Sequence, residues 1–170
     1  MKFFAEKIKN KKGFTLVEVL VALFILFTVI SATTALVNSA LGTIQNSKAK
    51  FVASGLAQEG MEIVRNIRDS NWLKYDQGVL WNQGLSDGDW EADYLSEGLA
   101  SYFGTGRFLK MDSNGFYNYT NGTATKFNRK INIQNLSANQ IRVIVVISWQ
   151  EKNKDYSLTT AEDLYNWYLP

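Results

Sequence analysis

The chain has 170 residues, 46% of them hydrophobic, with 18 Lys and Arg against 16 Asp and Glu for a net charge of +2. It contains no Cys and no His. Disulfides, thiolate nucleophiles, Cys-based metal sites, a Ser-His-Asp triad and a histidine general base are therefore excluded, and neither an enzyme nor a cofactor-binding protein is expected.

The first thirteen residues carry five lysines (Lys2, Lys7, Lys9, Lys11 and Lys12) and one glutamate, so without them the charge falls from +2 to −2. A chain of that charge has no broad electrostatic case for nucleic-acid binding, which shows as a basic patch or stripe. An apolar run follows from Phe14 to Val37, with Glu18 its one ionisable residue. At about 1.5 Å rise per residue this run spans roughly 36 Å, enough to cross a hydrocarbon core of about 30 Å. The lysines place the N-terminus in the cytoplasm and the rest of the chain outside. A secretory signal peptide has a shorter apolar region ending in small residues, for which Ser31-Ala32-Thr33 is the available site. An unprocessed signal anchor is the other plain alternative. Neither accounts for Glu18, because a carboxylate in a span costs a few kcal/mol and marks a function and a partner.

The run Lys11-Lys12-Gly13-Phe14-Thr15-Leu16-Val17-Glu18-Val19-Leu20-Val21-Ala22-Leu23 resembles the prepilin signature of type IV pilins and type II secretion pseudopilins. The resemblance implies cleavage between Gly13 and Phe14 by a prepilin peptidase that also methylates the new amine of Phe14. Glu18 then occupies the position where this family carries a glutamate that pairs with the amine of a neighbouring subunit during assembly. Other implied partners are pilin or pseudopilin subunits, an inner-membrane assembly platform and membrane lipid. Many major pilins have a proline about twenty residues into the mature helix; here the only proline is Pro170. A helix without that break favours a minor subunit.

From Asn38 to about Asp69 the pattern becomes amphipathic. Ala49, Val52, Leu56, Gly60, Ile63 and Ile67 share one helical face, flanked by Ala53 and Val64. The polar face carries Lys50, Ser54, Gln58, Glu62, Arg65 and Asp69, with Phe51 and Met61 placed on its side. A sheet is expected to cover the apolar stripe. Residues 70–106, rich in turn residues and aromatics, read as an ordered connection between helix and sheet. Within them Asp87, Asp89, Glu91 and Asp93 offer hard oxygens and form a candidate calcium set, although their spacing does not follow an EF-hand loop.

Past residue 106 the period changes to two. Strands over 107–111 and 116–120 flank the turn Asp112-Ser113-Asn114-Gly115. In 125–134, Phe127, Arg129, Ile131 and Ile133 alternate with polar residues. Ile141–Gln150, apolar on both faces at its centre, is the expected middle strand. A last strand over Tyr156–Thr160 and a terminal helical turn over 161–168 complete the chain. The order of these pieces resembles the C-terminal layout of PilV-type minor pilins and the I-type minor pseudopilin.

The expected architecture is α+β: a long N-terminal helical spine packed on an antiparallel sheet of about four to five strands. Its parts are a leader (1–13), a membrane or filament-core half-helix (14–37), an amphipathic half-helix (38–69), a variable loop (70–106) and a sheet head (107–170). The expected function is a minor pilin, inserted once in the cytoplasmic membrane with its head outside and later part of a surface or periplasmic filament. A pseudopilin of a type II secretion or competence system is the alternative within the family. A membrane-anchored ligand-binding protein is the alternative of another class.

Overall fold

No proline interrupts the N-terminal half. In the computed structural model, which describes residues 13–167, helix α1 runs unbroken over Leu16–Leu73. Residues 1–12, which hold most of the expected leader, and residues 168–170, which include the end of the expected helical turn, lie outside the described residues. Contacts divide the chain into two units, Met1–Gln45 and Asn46–Pro170.

In the first unit every residue from 13 to 41 is exposed. The helix contains a window of mean hydropathy 2.5, none of it buried, and is long and apolar enough to cross a membrane. Its threonine hydroxyls are satisfied within the helix. Thr28, Thr33, Thr34 and Thr43 donate to the carbonyls of Ile25, Val29, Ile30 and Ser39 at 2.8–3.1 Å. That back-bonding satisfies these four hydroxyls in an apolar environment.

The second unit is built on a five-stranded antiparallel sheet of order β2-β1-β6-β7-β8. Its members are β1 (Gly88–Glu91), β2 (Ala100–Ser101), β6 (Phe127–Ser137), β7 (Gln140–Glu151) and β8 (Lys154–Tyr165). A second sheet of order β4-β3-β5 comprises β3 (Lys110–Met111), β4 (Tyr117–Asn118) and β5 (Thr123–Ala124). Strand β7 lies mid-sheet as expected, with Val145 opposite Ile131 on one side and Thr160 on the other. Its alternation is clean: Ile141, Val143, Val145, Ile147 and Trp149 are buried, while Ile144 and Val146 are only half-buried. One face therefore carries the core. Lys152 and Asn153, at φ 48° and 60°, form the two-residue turn into β8, whose positive φ values match the twist of the flanking strands.

The buried face of α1 consists of Ala49, Ala53, Leu56, Ala57, Gly60, Met61 and Val64. Val52, Ile63 and Ile67 pack at its margin and are only partly buried. At 100° per residue the face is rotated by roughly 60° from the stripe read in the sequence. Met61, placed on the polar side by its spacing, is 3% exposed and belongs to the core, whereas Phe51 is 82% exposed. The rotation has a steric cause. Alanines and a glycine at the centre let sheet and helix approach closely, and the β-branched residues close the flanks.

Three other expectations change. Residues 70–106 are more than a connection, because β1 pairs directly with β6 (Trp90 opposite Ile131) and joins the main sheet. The hairpin over 107–120 forms around its expected turn, with the Gly115 amide on Asp112 O at 3.1 Å, but its strands pair into the small sheet with β5. There Gly122 (φ 108°) is obligatory, since a Cβ would lie 2.1 Å from the Met111 carbonyl oxygen. The C-terminal helical turn does not form among the described residues: β8 continues to Tyr165, and the Asn166 amide extends the ladder onto Asn139 O at 2.9 Å.

Candidate assembly segment and acidic loop

Gly13, Phe14 and Thr15 are non-helical, and α1 begins at Leu16. Thr15 caps it. Its Oγ1 accepts the Glu18 amide at 3.2 Å and its carbonyl accepts the Val19 amide at 3.2 Å. Thr15-Leu16-Val17-Glu18 thus has the spacing of a capping box, with a carboxylate in the first turn, where the helix dipole favours negative charge. Phe14 is 82% exposed, and a Cβ added at Gly13 would meet nothing within 4 Å. Among the described residues of the first unit Glu18 is the only ionisable group. The segment therefore presents an uncommitted carboxylate one turn from a glycine in open space.

The four acids of the calcium set are separately committed. Asp87 Oδ1 accepts the backbone and side-chain nitrogens of Asn135. Asp89 accepts Asn132 Nδ2 at 2.8 Å and Lys130 Nζ at 3.3 Å. Glu91, 1% exposed, is ion-paired with Arg107. Asp93 accepts the Tyr119 amide at 2.8 Å on one oxygen and Leu95 N and Ser96 Oγ at 3.0 Å on the other. The four acids thus stitch β1 and its flanks to β6, Tyr119 and the 102–108 segment. Among the described residues no group of three or more His, Cys, Asp or Glu side chains forms a metal cluster. Calcium or a chelator is accordingly expected to leave the thermal midpoint of the head unchanged; a rise with calcium, reversed by EGTA, would restore the metal reading.

Beside this loop a recess of about 230 Å³ is lined by Glu91, Asp93, Ser96, Arg107 and Tyr119. Arg107 lies over the Tyr119 ring at 4.5 Å. Burial pushes the Tyr119 phenol above its ordinary value, opposed by Arg129 and Arg107.

The feature least visible beforehand is Arg129. Placed on the apolar face of β6 by its alternation, it is wholly buried beneath α1. Its Nη1 donates to Leu56 O at 3.3 Å and Glu59 Oε1 at 3.1 Å, and its Nη2 donates to Ala92 O. Gly60 makes room for it: a Cβ there would lie 3.1 Å from both Arg129 Cδ and Val145 Cγ1. A helical side chain covers the turn before its own Cα, so the missing one at Gly60 uncovers the Leu56 carbonyl. The signal in the sequence was the pairing of one basic residue on an apolar strand face with one glycine on an apolar helix face.

A family model, the prokaryotic N-terminal methylation motif, matches residues 8–34. Comparisons with curated proteins and with solved structures return no match. The chain thus carries the prepilin-type N-terminal segment of type IV pilin-like and pseudopilin subunits, followed by an α+β head.

Proposed function

We propose that this chain, with its prepilin-type segment, is a minor structural subunit of a type IV pilus or a related filament. The observation that carries the proposal is the capped N-terminus of α1: a methylation motif on the exposed apolar first part of the helix, whose one carboxylate before residue 46, Glu18, lies in the first turn. The peptidase cuts between Gly13 and Phe14 and methylates Phe14. The helix holds the subunit in the cytoplasmic membrane, head outward, until other subunits replace lipid around it. In the membrane Glu18 stays near the interface; in a filament it loses water and pairs with the amine of Phe14 on this or a neighbouring chain, since a buried carboxylate needs a cation. The uninterrupted helix and the sheet order support a PilV-type minor subunit. Pseudopilins of secretion or competence systems use the same segment, and the identity of co-purifying subunits separates the two.

Intact mass spectrometry of membrane fractions tests the processing step. The expected species begins with methylated Phe14; a persistent Met1 terminus in cells with active peptidase rejects the proposal. A bulky residue at Gly13 should block cleavage and leave membrane insertion intact, because the position stands in open space. Glu18→Ala and Glu18→Gln should keep expression, cleavage and head stability, since the Thr15 cap engages the backbone of residue 18 and not its carboxylate. Both should lower co-assembly with other subunits, and Glu18→Lys should lower it further by placing two cations together. Undiminished assembly of Glu18→Ala would return the chain to the tethered binding-protein reading.

A further inference from the structure

Strand β8 forms one edge of the main sheet, and the count of its hydrogen bonds shows which groups are unpaired. A two-residue turn is closed by a hydrogen-bonded pair, here Glu151 and Lys154. Paired residues then alternate along β8 at 154, 156, 158 and onward, a count that ends correctly at Asn166 on Asn139. Asp155, Ser157, Thr159, Ala161, Asp163 and Tyr165 therefore turn their N–H and C=O groups outward. Among the described residues no backbone lies against them.

Such an edge is ordinarily blunted by a proline, a bulge or an inward-pointing charge. Lys154–Tyr165 has no proline and pairs with β7 without a register shift. Its acids are drawn back into the fold: Arg142 donates to Asp163 at 2.7 and 2.9 Å, Arg65 pairs with Glu162, and Gln150 donates to Asp155 at 3.1 Å. The Arg142 hydrogen bonds hold Asp163 below the ordinary carboxylate value. Ser157–Ala161, between these acids, is uncharged and mostly exposed. Of the charged side chains of β8, Lys154 alone has no partner among the described residues.

A groove of about 510 Å³ runs beside the strand, lined by Gly55, Gln58, Glu62, Arg65, Thr160 and Glu162. It lies on the helix side of β8, where alternate side chains of an added strand would point. A Cβ at Gly55 would meet nothing within 4 Å, so the floor of this seat is open. The unpaired edge and the groove beside it belong to one surface.

We infer that the β8 edge is a strand-addition site for an extended segment of another protein chain. The segment is uncharged where it faces Ser157–Ala161, carries an acid opposite Lys154, and seats alternate side chains in the groove beside Gly55. Main-chain bonds supply affinity in this mode and the groove supplies selectivity. The inference goes beyond the filament proposal and does not depend on it.

The probe is a labelled peptide with the sequence of residues 154–165. Laid antiparallel with Leu158 opposite Leu158, it brings its own Glu162 to Lys154 and its Lys154 to Glu162, with no like charges facing. Saturable binding to the full-length chain in detergent is expected by fluorescence anisotropy, with a scrambled peptide as control. Hydrogen exchange should slow at the amides of Ser157, Thr159 and Ala161, while Leu158 and Thr160 are already slow. Thr159→Pro removes an outward N–H without touching the β7 ladder and should weaken binding by about tenfold or more. Gly55→Leu fills the groove and should do the same. If Thr159→Pro loses protection at Leu158 and Thr160, the sheet itself has opened and Gly55→Leu decides. Absence of saturable binding, or binding that Gly55→Leu leaves intact, overturns the inference. Self-association of the parent that the peptide dissolves assigns the edge to a second copy and overturns a separate partner.

Discussion

Arg129→Ala is expected to destabilise the head by about 3–5 kcal/mol, the range for breaking a buried charged contact. A urea titration of the detergent-solubilised chain, followed by tryptophan fluorescence, would read it. Arg129 has no exposed surface, so its removal leaves a cavity between α1 and β6 and takes a donor from the Ala92 carbonyl. Glu59 contributes less to the loss, because its side chain is 31% exposed and can turn to water. Arg129→Met separates packing from hydrogen bonding. It keeps most of the volume and should cost about 1–3 kcal/mol, the range for leaving a buried acceptor unmet. Arg129 Nε has no partner among the described residues, so the native guanidinium is itself imperfectly satisfied and Met is expected near the lower end. A loss below about 1 kcal/mol for Arg129→Ala would mean that the guanidinium does not bind helix to sheet.

The second large effect is a contrast of sign between two glycines on one helix. Leucine is favoured over glycine in a helix interior by nearly 1 kcal/mol. At Gly55 nothing opposes that gain, and Gly55→Leu is expected to stabilise the chain by about 0.5–1 kcal/mol. At Gly60 the same change drives a branched side chain into Arg129 Cδ and Val145 Cγ1, both 3.1 Å from the Cβ position alone. Overpacking of about 1–3 kcal/mol then outweighs propensity. In combination with Arg129→Met the loss should differ from the sum of the single changes, because the two residues touch. Equal urea midpoints for Gly55→Leu and Gly60→Leu would show that helix and sheet do not meet at Gly60.

The helix and the middle strand were legible because each has a plain pattern: unbroken apolar and amphipathic repeats for α1, a continuous β-branched run over 143–147 for β7. The asymmetry of the helix face was not. Spacing weights Ile63 and Val52 by hydrophobicity, whereas close approach centres the face on Gly60, already in the stripe, with Ala53 from its flank and Ala57, which counts for little in such a pattern. Met61 follows them inward because an unbranched, flexible side chain can fill an irregular gap. Strands β1 and β2 escaped notice because four and two residues are too few to show a period. Their partners, 131–133 and 90–91, were not adjacent in the reading. The acidic stretch 87–93 read as a loop with a candidate ligand set, whereas its central residues form β1 and its acids hydrogen-bond to neighbouring segments. Arg129 was correctly placed on its face, but its meaning needed Gly60, about seventy residues away.

The sheet that covers α1 is made last. Strands β6, β7 and β8 are neighbours in sequence joined by tight turns, so they can zip as two successive hairpins, a topology with short loops to close. The helix stripe at Ala49–Val64 has been synthesised some seventy residues before β6, and most of the buried apolar side chains of the shared core outside α1 come from 127–164. During translation the stripe therefore waits uncovered while its own apolar half is already suited to lipid. A chain halted before β7 would keep its anchor and lose its head, leaving Leu56, Met61 and Val64 open to chaperones or proteases. If the apolar half enters a membrane as proposed, insertion and head folding become separate events in time, with the interval between them set by the ribosome.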